Sequence, residues 1–168
     1  IGHVAWFQER WVLRHQAAED AIRSDADSLY DSANIPHQDR WSIPLPSRSE
    51  TLDYAQRVLD RVVELTRARP LNDAAIYFRF LTLFHEDMHG EAFAYTRQTL
   101  GYRCSSIGSR AVSSAGVGGP LPGDAFVPGD RFLLGSPPDS GFTFDNEKWA
   151  HPVELRPLAA HEDEPVQV

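Results

Sequence analysis

The sequence predicts a mainly helical fold, a bundle of amphipathic helices followed by a short β-rich segment. Three observations carry this. Apolar residues recur at helical spacing in separate stretches between Val4 and Leu100, a run rich in Ser, Gly, Ala and Pro then breaks the periodicity, and short strand-like pieces follow it. With 168 residues the chain has material for one substantial core and a small appendage.

From Val4 to about Ile22, Val4, Phe7, Trp11 and Leu13 fall at helical spacing, with Gln8, Glu9, Arg10 and Arg14 between them as a polar face. His3 stands at the start of this helix. Ser24 to Ser47 holds four aspartates and the prolines Pro36, Pro44 and Pro46, and reads as a long connection. Its Tyr30, Trp41, Ile43 and Leu45 predict an ordered one. A second helix starts at Ser47, the N-cap of a capping box closed by Glu50, and its seam of Leu52, Ala55, Val58, Leu59, Val62, Val63 and Leu65 runs to Arg67. Arg69-Pro70 ends it. A third begins at Asn72-Asp73 and continues through Ile76, Phe80, Leu83, Phe84, Met88 and Phe93 to Leu100, where Gly101 is placed to stop it.

Residues 1–103 are therefore assigned to the helical part and 104–123 to a linker. Residues 124–168 form a β-rich segment, with strand-like pieces at Phe132 to Leu134, Phe142 to Phe144, and Val153 with Leu155. A β segment this short is too small to make a stable core by itself.

Lys and Arg number 16 against 24 Asp and Glu, a net charge of -8 with no basic cluster, which argues against nucleic acid as a partner. The single cysteine, Cys104, has no partner for an internal disulfide, and no apolar run is long enough for a signal-peptide core or a membrane span. A soluble cytoplasmic protein is the expectation. Because an informative run starts at once at Ile1, we also expect a chain cut from a longer one.

The chemistry sits on the third helix. His85-Glu86-Asp87-Met88-His89 sets two imidazoles four residues apart, about 40° from each other around the helix axis, so one cation can bridge them. A third ligand has to come from another element. His3 is the best candidate, since its helix must pack against this one for either to hide its apolar face. The same pair could instead be a hydrogen-bonded structural pair. His15, His37, His151 and His161 lie in polar or terminal surroundings and are expected to be solvated. The pair also satisfies H-E-x-x-H, in which Glu86 would act as base on zinc-bound water. Gly90-Glu91-Ala92-Phe93-Ala94-Tyr95 lacks the Gly and His of the metzincin continuation, and no helix follows Gly101 to carry the glutamate of the alternative zinc set.

Several motifs occur in one order: Gly2-His3-Val4-Ala5-Trp6-Phe7, Leu29-Tyr30-Asp31-Ser32, Arg40-Trp41 before Pro44-Leu45-Pro46, and His85-Glu86-Asp87-Met88-His89-Gly90-Glu91. Together they resemble the ergothioneine sulfoxide synthases and the similar selenoneine synthases. Pro128-Gly129-Asp130-Arg131-Phe132, Gly135-Ser136, Phe144-Asp145-Asn146-Glu147-Lys148-Trp149 and His151-Pro152-Val153 resemble the opening of that family's second domain, which is similar to formylglycine-generating enzymes. The resemblance covers most of residues 1–158.

It implies a DinB-like four-helix bundle whose first helix would precede Ile1. His3, His85 and His89 would hold Fe(II), with a cofactor role in joining sulfur or selenium to the imidazole of hercynine at the expense of dioxygen. The family's catalytic tyrosine and most substrate-binding residues would lie beyond Val168, and Tyr30, Tyr95 and Tyr102 do not match it. Such a chain would hold iron without necessarily turning over, and a bundle face left open would favour dimerisation.

Two departures bear on the substrate. Met88 stands where the ergothioneine enzymes carry a glutamine that holds the imidazole substrate, and a thioether is only a weak acceptor. Of two arginines that clamp the carboxylates of a glutamyl-cysteine donor, one place is Arg40 and the other is His37. A single arginine clamps several carboxylates poorly, so the departures favour an uncharged donor such as a selenosugar over a thiol. The competing expectations are an H-E-x-x-H zinc hydrolase and a non-catalytic metal-binding bundle.

Overall fold

The first helix opens at Gly2, runs as an α-helix to Gln8 (α1, Gly2–Gln8) and passes without a break into a π-helix, Glu9–Gln16. The structure, a computed structural model, describes residues 1–68, 70–103, 123 and 125–160. The helix ends well before Ile22, the end expected from periodicity. Two constraints stop it. Ala18 adopts a φ of 54°, in the left-handed region that a right-handed helix cannot continue through. The backbone N–H of Ile22 then turns back to donate to Glu9 Oε1 at 3.2 Å.

Glu9 corrects the sequence reading in a second way. Placed by pattern on the polar face, it is fully buried, beside Val12 and Leu13. Its other carboxylate oxygen accepts the Tyr54 hydroxyl, so both oxygens have a donor inside the core. Burial, followed by this bond to Glu9, pushes the Tyr54 phenol far above its usual range.

The connection from Ser24 to Ser47 contains a short helix, α2 (Ala26–Tyr30), and a 3₁₀ turn, Asp39–Trp41. Of its four apolar residues Tyr30 is buried and Ile43 half-buried, while Trp41 is 87% exposed. The anchoring comes from α2. Asp27 accepts Trp6 Nε1–H at 2.6 Å and a bidentate pair from Arg14 at 2.6 and 2.9 Å. The Arg14 bonds first and the Trp6 bond second hold the Asp27 carboxyl well below the usual carboxylate range.

Helix α3 (Arg48–Ala68) starts with the expected box: Glu50 N–H donates to Ser47 Oγ at 3.3 Å and Ser47 N–H to Glu50 Oε2 at 2.9 Å. Helix α4 (Asp73–Thr99) is capped by Asn72, whose Oδ1 accepts Ala75 N–H at 2.8 Å, and the chain leaves it through Gly101 at a φ of 67°. Helix α1 packs against α2, α3 and α4, and the core gathers Trp6, Val12, Leu13, Tyr30, Tyr54 and Val58. Not every seam residue enters it. Leu52 and Leu59 on α3 and Phe93 on α4 instead line an open groove shared with Val4 and His89.

The chain divides into two compact units, Ile1–Cys104 and Ser105–Val168. In the second, β1 (Ala125–Val127) pairs antiparallel with β4 (Leu158–Ala160), and β2 (Arg131–Leu134) with β3 (His151–Glu154). β2 and β3 fall on the expected pieces at Phe132 to Leu134 and Val153. Phe142 to Phe144 is not a strand. The two rings pack edge to face at 4.9 Å, and a 3₁₀ turn, Asp145–Glu147, follows. Gly129 is required where the segments close together, since a Cβ there would lie 2.5 Å from Pro157 Cδ. The expected linker, 104–123, lies outside the described residues except for Gly123. No helix among the described residues is long and apolar enough to cross a membrane.

Glu9→Ala strands the Tyr54 hydroxyl and the Ile22 N–H and leaves a void, so urea unfolding should show a loss of about 3 kcal/mol. Asp27→Asn should cost about 1 kcal/mol near neutrality, because Asp27 is half exposed and its ion pair screened. A carboxyl depressed in the folded state stabilises above its unfolded value near 3.8, and that contribution is lost as pH falls below it. The stability difference between wild type and variant, followed by circular dichroism against pH, should therefore shrink on acidification through this range.

Candidate metal centre

His3 occupies the first turn of α1, and His85 and His89 lie one turn apart on α4. The packing of α1 on α4 turns the three rings edge-on to one another, with centroids 5.1 Å apart from His3 to each of the others and 4.6 Å between His85 and His89. Their Nε2 atoms converge. His85 Nε2 lies 3.3 Å from His3 Nε2 and 3.3 Å from His89 Nε2, and one ligand atom from each residue falls within 4.8 Å of the others.

The two 3.3 Å separations fit a common ion. For metal–nitrogen bonds of about 2.1 Å, nitrogens on adjacent positions are about 3.0 Å apart at right angles and about 3.4 Å apart at the tetrahedral angle. The donor chemistry fits as well. Three half-buried imidazoles with no carboxylate in the set suit Fe(II), Zn, Cu or Ni in preference to Mg or Ca.

Each ring is held differently. His3 Nδ1 lies 2.8 Å from the Tyr30 carbonyl oxygen, which can only accept, so His3 donates from Nδ1 and keeps its Nε2 lone pair for the cluster. Trp6 stacks on the same ring at 5.7 Å. His85 lies face to face with Phe7, centroids 3.8 Å apart and planes within 15°, and its buried Nδ1 has no hydrogen-bond partner among the described residues. Packing rather than an outer hydrogen bond orients it. Burial first, then the neighbouring His3 and His89, pushes the His85 imidazole down to about 4. His89 is lowered by burial and then by His3 and the N-terminal ammonium. Both rings are thus kept neutral, the form in which imidazole binds a metal.

The remaining sequence candidates lie apart from this cluster in their contacts. Arg40, on the 3₁₀ turn, donates to the carbonyls of Ser32 at 2.5 Å and Ile35 at 3.3 Å. His37 is exposed, and Met88 is 52% exposed on α4. Glu86 accepts Gln8 Nε2–H at 3.1 Å and, with His89, lines the groove beside α1. Of the other histidines, His15 packs edge-on against Trp11 and Phe78, His37 and His151 are exposed, and His161 lies outside the described residues. Sequence reasoning missed the Tyr30 carbonyl and Phe7 as supports. A backbone carbonyl leaves no residue-type signal, whereas Phe7 is one turn on from His3 and could have been placed beside it.

The folded chain resists protonating His85 down to about pH 4, while the unfolded chain takes that proton near 6.5. Stability of the metal-free protein should consequently fall as pH drops from 6.5 towards 4. His85→Gln should flatten that part of the stability profile, measured by thermal unfolding in the presence of a chelator. No family model matches the chain, and no curated protein matches it either.

Proposed function

We propose that this chain provides the iron site of an oxygen-dependent enzyme that joins selenium or sulfur to the imidazole ring of hercynine, the first unit being a DinB-like bundle. The observation that carries the reading is the convergence of the Nε2 atoms of His3, His85 and His89. Two of these could be paired from their spacing on α4. The third comes from a helix far away in sequence, in the run Gly2-His3-Val4-Ala5-Trp6-Phe7 that also carries the family resemblance.

Ferrous iron in such a site supplies the redox chemistry that lets dioxygen oxidise a chalcogen and an imidazole together. The chain's part is to present three ring nitrogens from one side, so that small molecules can take the remaining positions. Tyr30 fixes which nitrogen of His3 is presented, and Phe7 fixes the plane of His85. Arg40 commits Nε and one terminal nitrogen to backbone carbonyls, which leaves a reduced fork for a carboxylate. With Met88 in place of an amide, this supports an uncharged selenium donor over a glutamyl-thiol.

The test is anaerobic reconstitution with iron and, in parallel, with zinc. Wild type should take up about one equivalent of iron per chain, and His3→Ala should lose it. Zinc uptake unaffected by His3→Ala, with hydrolysis that depends on Glu86, would overturn the reading in favour of the H-E-x-x-H alternative.

A further inference from the structure

We propose that Gly2 and Tyr30 are positioning residues that set the tautomer of His3. The proposal rests on reading the cluster as a metal site for its purpose, though the contacts themselves need no metal.

Tyr30 is the last residue of α2, where the carbonyls of a helix have no acceptor role left within it. Its oxygen is therefore available to a side chain, and His3 Nδ1 takes it at 2.8 Å. In this proposal that carbonyl is coupled to the packing of the Tyr30 ring. One face stacks on Tyr54, centroids 5.9 Å apart and planes within 11°, and Tyr54 is itself anchored by its bond to buried Glu9. Against α1, the ring occupies the space that a side chain at position 2 would fill. A Cβ on Gly2 would lie 2.3 Å from Tyr30 Cε1, 2.5 Å from Cζ and 2.8 Å from the hydroxyl oxygen. No real Cβ contact is that short, so any other residue must drive the ring away.

Ring and carbonyl belong to one residue, and Gly2 adjoins His3. Moving the ring then disturbs the one hydrogen-bond partner that His3 Nδ1 has among the described residues. Once Nδ1 has no acceptor, the proton is free to sit on Nε2 and cover the lone pair aimed at His85. The Tyr30 hydroxyl takes no part, since it is buried with no hydrogen-bond partner among the described residues. Shape and the backbone oxygen do the positioning.

The experiment is two-bond ¹H–¹⁵N NMR of the histidine rings in the metal-free protein at about pH 8, a pH well above the ordinary imidazole value. It reads the tautomer directly. In wild type and in Tyr30→Phe, His3 should carry its proton on Nδ1. In Gly2→Ala that preference should be lost, with the helical circular dichroism retained. Cobalt(II) titration should show binding weakened about 10- to 100-fold in Gly2→Ala, the range typical of losing an outer partner of a ligating histidine, and little changed in Tyr30→Phe. If Gly2→Ala does not fold, Tyr30→Leu removes the ring without adding atoms and should lose the Nδ1–H signature in the same way.

A wild-type His3 protonated on Nε2 would overturn the proposal. So would a folded Gly2→Ala, or failing that a Tyr30→Leu, that keeps the Nδ1–H tautomer. The expected tautomers together with no cobalt binding by wild type would support the positioning while refuting the metal site, so the two failures are distinguishable.

Discussion

A carboxylate can sit inside an apolar core only if donors meet its oxygens there, and Glu9 is met by the Tyr54 hydroxyl and the Ile22 N–H. Much of the first unit depends on this arrangement. The bond to Tyr54 ties the π-helical turn to α3, and the bond to Ile22 turns the chain back after Ala18. That return delivers α2 to a position where Asp27 can take both Trp6 and Arg14. Tyr30 then lands between Tyr54 and Gly2, with its carbonyl on His3. A buried charge is costly relative to an apolar pair, so its presence here is better explained by the register it imposes than by net stability.

That register also explains how two remote segments form one site. His85 and His89 share a helix face by spacing alone, so their pairing needs no tertiary structure. His3 joins them only because α1 packs on α4 in one particular rotation. The stack of Phe7 on His85 fixes that rotation on one side of His3, and the Tyr30 carbonyl fixes the ring on the other.

The division between what sequence reading could and could not supply follows from the range of the interactions. Caps are local: Ser47 with Glu50, Asn72 with Ala75 and the left-handed Gly101 are set within a few residues, and the structure has each where the sequence predicts it. The spacing of His85 and His89 is equally local, and His3 could be added by requiring two apolar helix faces to meet. Glu9 was misread because periodicity reports average polarity, while a buried acid is defined by a donor on another helix, here Tyr54. Phe142 to Phe144 was misread as a strand because its apolar character is real, but the rings pack on each other and the segment pairs with no neighbouring strand among the described residues. The Tyr30 carbonyl could not be read at all, being backbone.

Charge sets the last constraint on what the centre can take. The lowered His85 and His89 favour neutral rings, and neutral imidazole donors would leave a divalent ion its full charge towards incoming ligands. Glu86, Asp87 and Glu91 are exposed, and Glu86 is engaged with Gln8. None of them belongs to the ligand cluster, so none neutralises the ion by coordinating it. A divalent ion held by three neutral donors would therefore attract anionic ligands to its remaining positions. The three-imidazole set, and not the overall charge of -8, is thus the feature that would govern which ligands a bound ion takes.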